Sequence, residues 1–169
     1  MFMKQTLKYI YSVIYDNLKF AEAKHTLILT LTSAVLAFGT TFFSDNSIQN
    51  LLAIASILFS LIAIFYSFVA LVARNVKVKQ KRIPKNLNLV YYKHIMHFDE
   101  IGYIEEIKKR YEFTKIYKPD NMDYDLARQI ISVAKLAYIK FLYFNFAVIF
   151  LISSIICLIV AVLFRGRLW

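Results

Sequence analysis

Glycine, proline and cysteine are scarce in these 169 residues, at three, two and one. A glycine-rich phosphate loop or a dinucleotide fingerprint needs several glycines within a few residues. Gly39, Gly102 and Gly166 lie far apart, so those nucleotide-binding folds are excluded. The single Cys157 can form neither an intramolecular disulfide nor a cysteine zinc cluster. Charge is scarce as well: 19% of residues are charged and 59% hydrophobic, against roughly 25% and 45–50% in an ordinary soluble domain. Disorder is excluded on the same ground, since a disordered chain is poor in aromatics and 17% of this one is aromatic. What the chain has in excess is apolar surface and a net charge of +10, the marks of a small basic membrane protein.

The apolar residues fall into three runs without Asp, Glu, Lys or Arg: 20 residues between Lys24 and Asp45, 28 between Asp45 and Arg74, and 24 between Lys140 and Arg165. A helix crosses the hydrocarbon core with about 20 predominantly apolar residues. The dense parts, residues 26–43, 51–73 and 141–164, are therefore expected as three transmembrane helices. The first run is interrupted by Thr30, Thr32, Ser33, Thr40 and Thr41, whose hydroxyls can bond to their own helix backbone. The fold class expected is an all-α integral membrane protein, with helical cytoplasmic extensions and a small, mainly helical cytoplasmic insert.

Positive residues orient it. Lys and Arg number four before the first run, none in 44–50, fifteen in 74–140 and two after the third run. Segments rich in Lys and Arg stay cytoplasmic. The N-terminal helix (1–25) and the basic insert (74–140) are thus expected inside a bacterial inner membrane, with the 44–50 hairpin and the C-terminus outside. Trp169, Phe42, Phe43 and Phe164 suit anchoring at the outer interface. The collar Arg74, Lys77, Lys79, Lys81, Arg82, Lys85 abuts the membrane without interleaved aromatics. It reads as topology retention and attraction to anionic lipid rather than a nucleic-acid site.

Leu7, Tyr11, Ile14, Leu18, Ala21 and His25 recur at three- and four-residue steps, so an amphipathic helix over 4–25 is expected to run into the first span without a breaker. Leu87, Leu89 and Tyr91 alternate with polar or smaller neighbours, which suggests a short extended segment passing into a helical turn within 86–98. Asp99 or Glu100 is placed to cap a helix reaching Tyr111 to Phe113, with acids early and Lys108, Lys109 and Arg110 late, as the macrodipole favours. After a loop over 117–124, a last helix with Asp123 or Asp125 in its first turn meets no breaker before Gly166.

Catalytic chemistry is not legible. His94 and His97 have metal-like spacing but no readable third or fourth ligand, and nothing joins a nucleophile to a base. The chain is not expected to be an enzyme, and no metal or other cofactor is expected. Three polar clusters near the inner surface do stand out: Glu22-Ala23-Lys24; Asn88 to Lys93, with Tyr91 and Tyr92; and Asp125-Leu126-Ala127-Arg128-Gln129 with Lys140-Phe141. Gln129 and Lys140 lie eleven residues apart, about three turns, which puts them on one helix face.

In this order and spacing, the clusters resemble those of the transmembrane effectors of the bacterial Pycsar anti-phage system, over residues 15–164. Glu22 stands where aspartate is commoner in that family, and His25 where a small residue is usual. The resemblance implies an effector that senses a cyclic pyrimidine mononucleotide, cyclic CMP or cyclic UMP made by a partner cyclase, and impairs the inner membrane until growth stops. A planar base with one phosphate needs cations or amide donors and a stacking surface. Lys24, Lys93, Arg128 and Lys140 are candidates for the first, and Asn88, Tyr91, Tyr92 and Gln129 for the second, with the acids Glu22 and Asp125 beside them. Partners expected are membrane lipid, the cyclic nucleotide and further copies of the chain, since three spans are too few to enclose a wide pore; no nucleic-acid polymer is expected. The competing reading is a constitutive membrane scaffold or accessory subunit that docks a partner through its basic insert.

Overall fold

The structure is a computed structural model that describes residues 2–43, 47–73, 87–111 and 117–165. All regular structure among them is helical: α1 (Phe2–Thr40), α2 (Ser47–Val72), α3 (Tyr92–Ile95), α4 (Glu100–Arg110) and α5 (Asn121–Arg165). The basic collar, the loop residues 44–46, Phe113, Arg167 and Trp169 lie outside the described residues. The chain divides into two compact units, Met1–Ala21 with Ala73–Lys140, and Glu22–Val72 with Phe141–Trp169. α1 and α5 each cross that division as unbroken helices of 39 and 45 residues. Both continuities follow from the absence of proline and early glycine in the two stretches.

The first unit is organised like a soluble domain. Met3, Leu7, Ile10 and Ile14 of α1 step by three and four residues, and all are buried against Tyr103, Ile104 and Ile107 of α4 and Ala127, Ile130 and Ala134 of α5. α4 starts where expected: the Asp99 carboxylate accepts the Gly102 N–H at 3.1 Å. A side chain at Gly102 would put its Cβ 2.7 Å from that oxygen, so glycine leaves room for the cap. α5 starts with a reciprocal cap. The Asp123 N–H donates to Asp120 Oδ1 and the Asp120 N–H to Asp123 Oδ2, both at 3.0 Å. The Tyr117 hydroxyl adds a bond to the same Asp123 oxygen at 2.5 Å, and Lys4 pairs with Asp120 at 2.6 Å.

The helical turn expected in this stretch is α3, while the extended segment expected before it is instead a turn. The Asn88 side chain accepts the Val90 N–H at 2.9 Å, its carbonyl accepts the Tyr91 N–H, and Tyr91 has extended backbone just before α3 begins. An asparagine that bonds the backbone two residues on closes a turn, and the alternating pattern is overridden. The Tyr103 hydroxyl, fully buried, donates to the Leu89 carbonyl at 2.7 Å and ties this turn to α4.

The second unit follows a different rule. The buried residues of α2 are Gln49, Ala53, Ser56, Ser60, Ala63, Ser67 and Ala70, a strict four-three repeat of small or polar side chains. Its large residues, such as Leu51, Leu58, Phe65 and Val72, face outward. α5 answers with Ala147, Leu151, Ser154, Leu158 and Ala161, again at steps of four and three. Such a repeat is the left-handed packing of coiled coils. Where the two meet, Ser154 donates to the Ser56 carbonyl, and the Ser56 and Ser60 hydroxyls each lie 2.8 Å from the Ser154 oxygen. One hydroxyl has one proton and two lone pairs, so with its proton on the carbonyl Ser154 accepts from both serines. Gly39 lets α1 close on α2, since a Cβ there would lie 3.2 Å from Ile57.

α2 and α5 are long and apolar enough to cross a membrane. In the expected first span the hydroxyls do bond their own helix: Thr30 to the Thr26 carbonyl, Thr32 to that of Ile28, Ser33 to that of Leu29 and Thr40 to that of Ala37. Ile28 packs with Ala63, Ala147 and Leu151 in the apolar cluster of this unit.

The first unit's core sets a measurable expectation. In detergent-solubilised protein, Ile104→Ala should cost about 2–5 kcal/mol through the cavity it leaves. Tyr103→Phe should cost roughly 1–3 kcal/mol because it strands the buried Leu89 carbonyl. Thermal unfolding followed by circular dichroism measures both, and unchanged melting of Tyr103→Phe would remove the tie between turn and helix.

Candidate functional site

Of the ten residues singled out in the sequence, Glu22 and Lys24 belong to the second unit and the other eight to the first. Six of the eight form two local groups. The first is the corner around α3. Tyr91, 36% exposed, lies 4.9 Å from the Tyr92 ring and meets His94 edge-on at 5.1 Å. His94 Nδ1 accepts the Asn88 N–H at 3.0 Å, so the histidine and Asn88 together hold this corner in shape. Burial, and then the neighbouring Tyr91, push the Tyr92 hydroxyl up to about 12, so it remains a hydrogen-bond donor at any physiological pH. Lys93 is exposed on the same turn. The corner therefore carries an exposed aromatic residue and an exposed lysine two positions apart.

The second group lines an open groove of about 500 Å³ formed by Glu100 and Ile101 of α4 with Asn121, Tyr124, Asp125 and Arg128 of α5. Arg128 lies between two carboxylates, 3.1 Å from Glu100 and 3.6 Å from Asp125. The Glu100 carboxyl is held below its ordinary value first by its own backbone N–H at the start of α4 and next by the Arg128 guanidinium. Glu100 and Tyr124 were not singled out for this role in the sequence. Glu100 reads there only as a cap, because a pairing across 28 residues leaves no local pattern. Asn88, Tyr91, Tyr92 and Lys93 are not among the residues lining this groove.

Gln129 and Lys140 lie on one face of α5 but do not share surroundings. Gln129 is exposed, whereas Lys140 is buried at 3%. The buried stripe of α5 advances by three and four residues, and seven residues fall short of two full turns, so the stripe rotates around the helix as it rises. Three turns apart, the same helix direction points outward at one level and inward at the other.

In the second unit, Glu22 is half-buried. Lys24 lies over two rings, 4.9 Å from the centre of Phe144 and 5.5 Å from that of Phe141. The fully buried His25 meets Phe144 edge-on at 5.8 Å. Aromatic faces thus receive the cation where the helix turns apolar, a cation–π arrangement that offsets some of its lost hydration.

Helices whose packed faces are small and hydroxylic and whose outer faces carry the large apolar residues define a helical membrane protein with a polar unit attached. The family described as the Pycsar effector protein domain matches residues 6–166, and the chain belongs to it. It is an effector of anti-phage defence, in a family of membrane effectors. No curated protein and no solved structure matches the chain.

The groove makes an electrostatic prediction. Because Glu100 titrates below its ordinary value of 4.5 in the folded chain, its contribution to stability is complete above that value and fades as pH falls through the lowered one. In Arg128→Gln the carboxyl should titrate higher, yet still below 4.5, since its own backbone N–H remains. Carbon-13 NMR of labelled glutamate reads this; a titration identical to wild type would show that the ion pair is not formed in solution.

Proposed function

We propose that this chain is the membrane-impairing arm of a defence system that senses a cyclic pyrimidine mononucleotide, cyclic CMP or cyclic UMP from a partner cyclase, and stops growth before phage matures. The observation that carries the reading is the family match across nearly the whole chain. In this reading α1 supplies a third span over 26–43 beside 51–73 and 141–164, the N-terminus and the insert face the cytoplasm of a bacterial inner membrane, and several copies assemble. The nucleotide is an activating ligand and no catalytic step is involved.

The ligand has one negative phosphate and one planar base. An exposed Tyr91 ring with Lys93 on the same turn suits that pair of features. Arg128 offers a forked donor for phosphate, but a phosphate has to draw it away from Glu100 and Asp125. Asn88, Tyr92, Gln129, Asp125, Lys140, Lys24 and Glu22 complete the set of candidate contacts. Binding acts on the membrane through α1 and α5, since each runs without a break from the polar unit into the apolar one. Such a switch is only as strong as the ligand's differential affinity for the two helix arrangements.

The test is a thermal melt of the detergent-solubilised chain with cyclic CMP, cyclic UMP and the purine analogues. One pyrimidine nucleotide at a hundred times its dissociation constant should stabilise the fold by about 2.7 kcal/mol, and Tyr91→Ala with Lys93→Ala should abolish that gain without lowering the melting point of the free protein. Flat curves for every nucleotide would leave a constitutive scaffold as the better description.

A further inference from the structure

Gln49, Ser56, Ser60 and Ser67 stand on one stripe of α2, all buried. From Gln49 to Ser67 the helix rises about 27 Å at 1.5 Å per residue, close to the roughly 30 Å thickness of a bilayer's hydrocarbon core. Ser56 and Ser60 have Ser154 as their partner. Ser67 is different. Its hydroxyl is fully buried and has no hydrogen-bond partner among the described residues. Hydroxyls of these helices ordinarily bond the carbonyl one turn back, as Ser33 and Ser153 do. An orphaned buried hydroxyl is a place that calls for water.

Between helices in lipid, small residues allow close approach and hydroxyls bond across the contact, and Ser154 accounts in this way for two of the four polar positions. It does not account for a polar line running the length of the span. The outward residues supply the other half of the argument. The large apolar side chains of α2 already face away from the bundle, so when the helices part along this stripe α2 itself exposes little apolar surface; what water newly meets is chiefly Ile28 of α1 and Leu151 of α5.

We propose that this stripe is the water-facing wall of the membrane lesion. In the active state the helices of the second unit part along it, and Ser56, Ser60 and Ser154 exchange their mutual hydrogen bonds for bonds to water. Small hydrated ions then pass along the line from Gln49 to Ser67. The inference rests on the membrane-impairing reading above and adds to it the route that ions take.

Thiol accessibility tests it, and the single native cysteine makes the experiment clean. In a full-length Cys157→Ser background, Ser60→Cys and Ser67→Cys place a thiol on the stripe, while Leu58→Cys and Phe65→Cys place one on the outward face. Proteoliposomes holding each variant receive cyclic CMP or cyclic UMP together with a charged, membrane-impermeant thiol reagent, and membrane potential is followed at the same time. The thiolate is the reactive form and needs water, so nucleotide should speed labelling at positions 60 and 67 by about tenfold or more and leave 58 and 65 unlabelled. Depolarisation with the stripe thiols unreacted overturns the proposal, and so does depolarisation with all four positions labelled alike, which is general disruption. If Ser60→Cys is inactive, Ser67→Cys decides alone. No depolarisation with any nucleotide overturns the sensing reading and this inference together, and the persistence of depolarisation separates the two failures.

Discussion

In a bilayer no water stands ready to take up a stray donor, and large apolar side chains gain nothing by hiding from lipid that is as apolar as they are. Helices there associate by close approach and by satisfying polar groups among themselves. The second unit is built on that constraint. Small residues and hydroxyls occupy its packed faces, Gly39 admits Ile57, and three serines share their protons around Ser154. Its hydroxyls on α1 are spent on the backbone one turn back, which lets a threonine-rich stretch remain helical.

The first unit answers to water and inverts the arrangement, with Met3, Leu7, Ile10 and Ile14 inside and charge outside. α1 therefore changes its rule partway along. Its buried positions are large and aliphatic through Leu18, pass through Ala21 and His25, and then combine Ile28 with Thr32. α5 changes less: alanines alternate with Ile130 and Ile131 in the first part and with Leu151 and Leu158 in the second, where the hydroxyl of Ser154 enters the buried stripe. A helix that carries both rules ties a water-soluble core to a lipid-adapted one through a single hydrogen-bonded backbone, and a rotation or shift begun in one part has no hinge at which to dissipate.

How far this was legible in the sequence depended on the range of the interaction concerned. The two long helices were readable, because they need only the absence of breakers. So were the caps at Asp99 and at the start of α5, since a cap and its target lie three residues apart. The turn at Asn88 was misread because alternation of side chains was given more weight than one amide that bonds its own backbone. Gln129 and Lys140 do share a helix face, as their spacing says, but the buried stripe of α5 rotates across that face, so one is exposed and the other buried. The pairing of Arg128 with Glu100 could not be read at all, as it depends on where α4 lies against α5.

That pairing bears on how a ligand could act. Among the candidate cations, Arg128 is engaged by two carboxylates, Lys24 lies over two rings, Lys140 is buried and Lys93 is exposed. An anion that meets Lys93 displaces mostly water and gains modestly, because exposed charge pairs contribute about 0–1 kcal/mol. One that takes Arg128 must break an existing internal pair, and Glu100 then loses its partner at the start of α4. Binding without exchange stabilises whatever arrangement is already present. Binding by exchange makes affinity depend on whether the internal pair is closed, and that dependence is what allows a ligand to favour one arrangement of helices over another. The net charge of +10 accordingly says little about where an anion would be held; the internal partners of Arg128 and Lys24 say more.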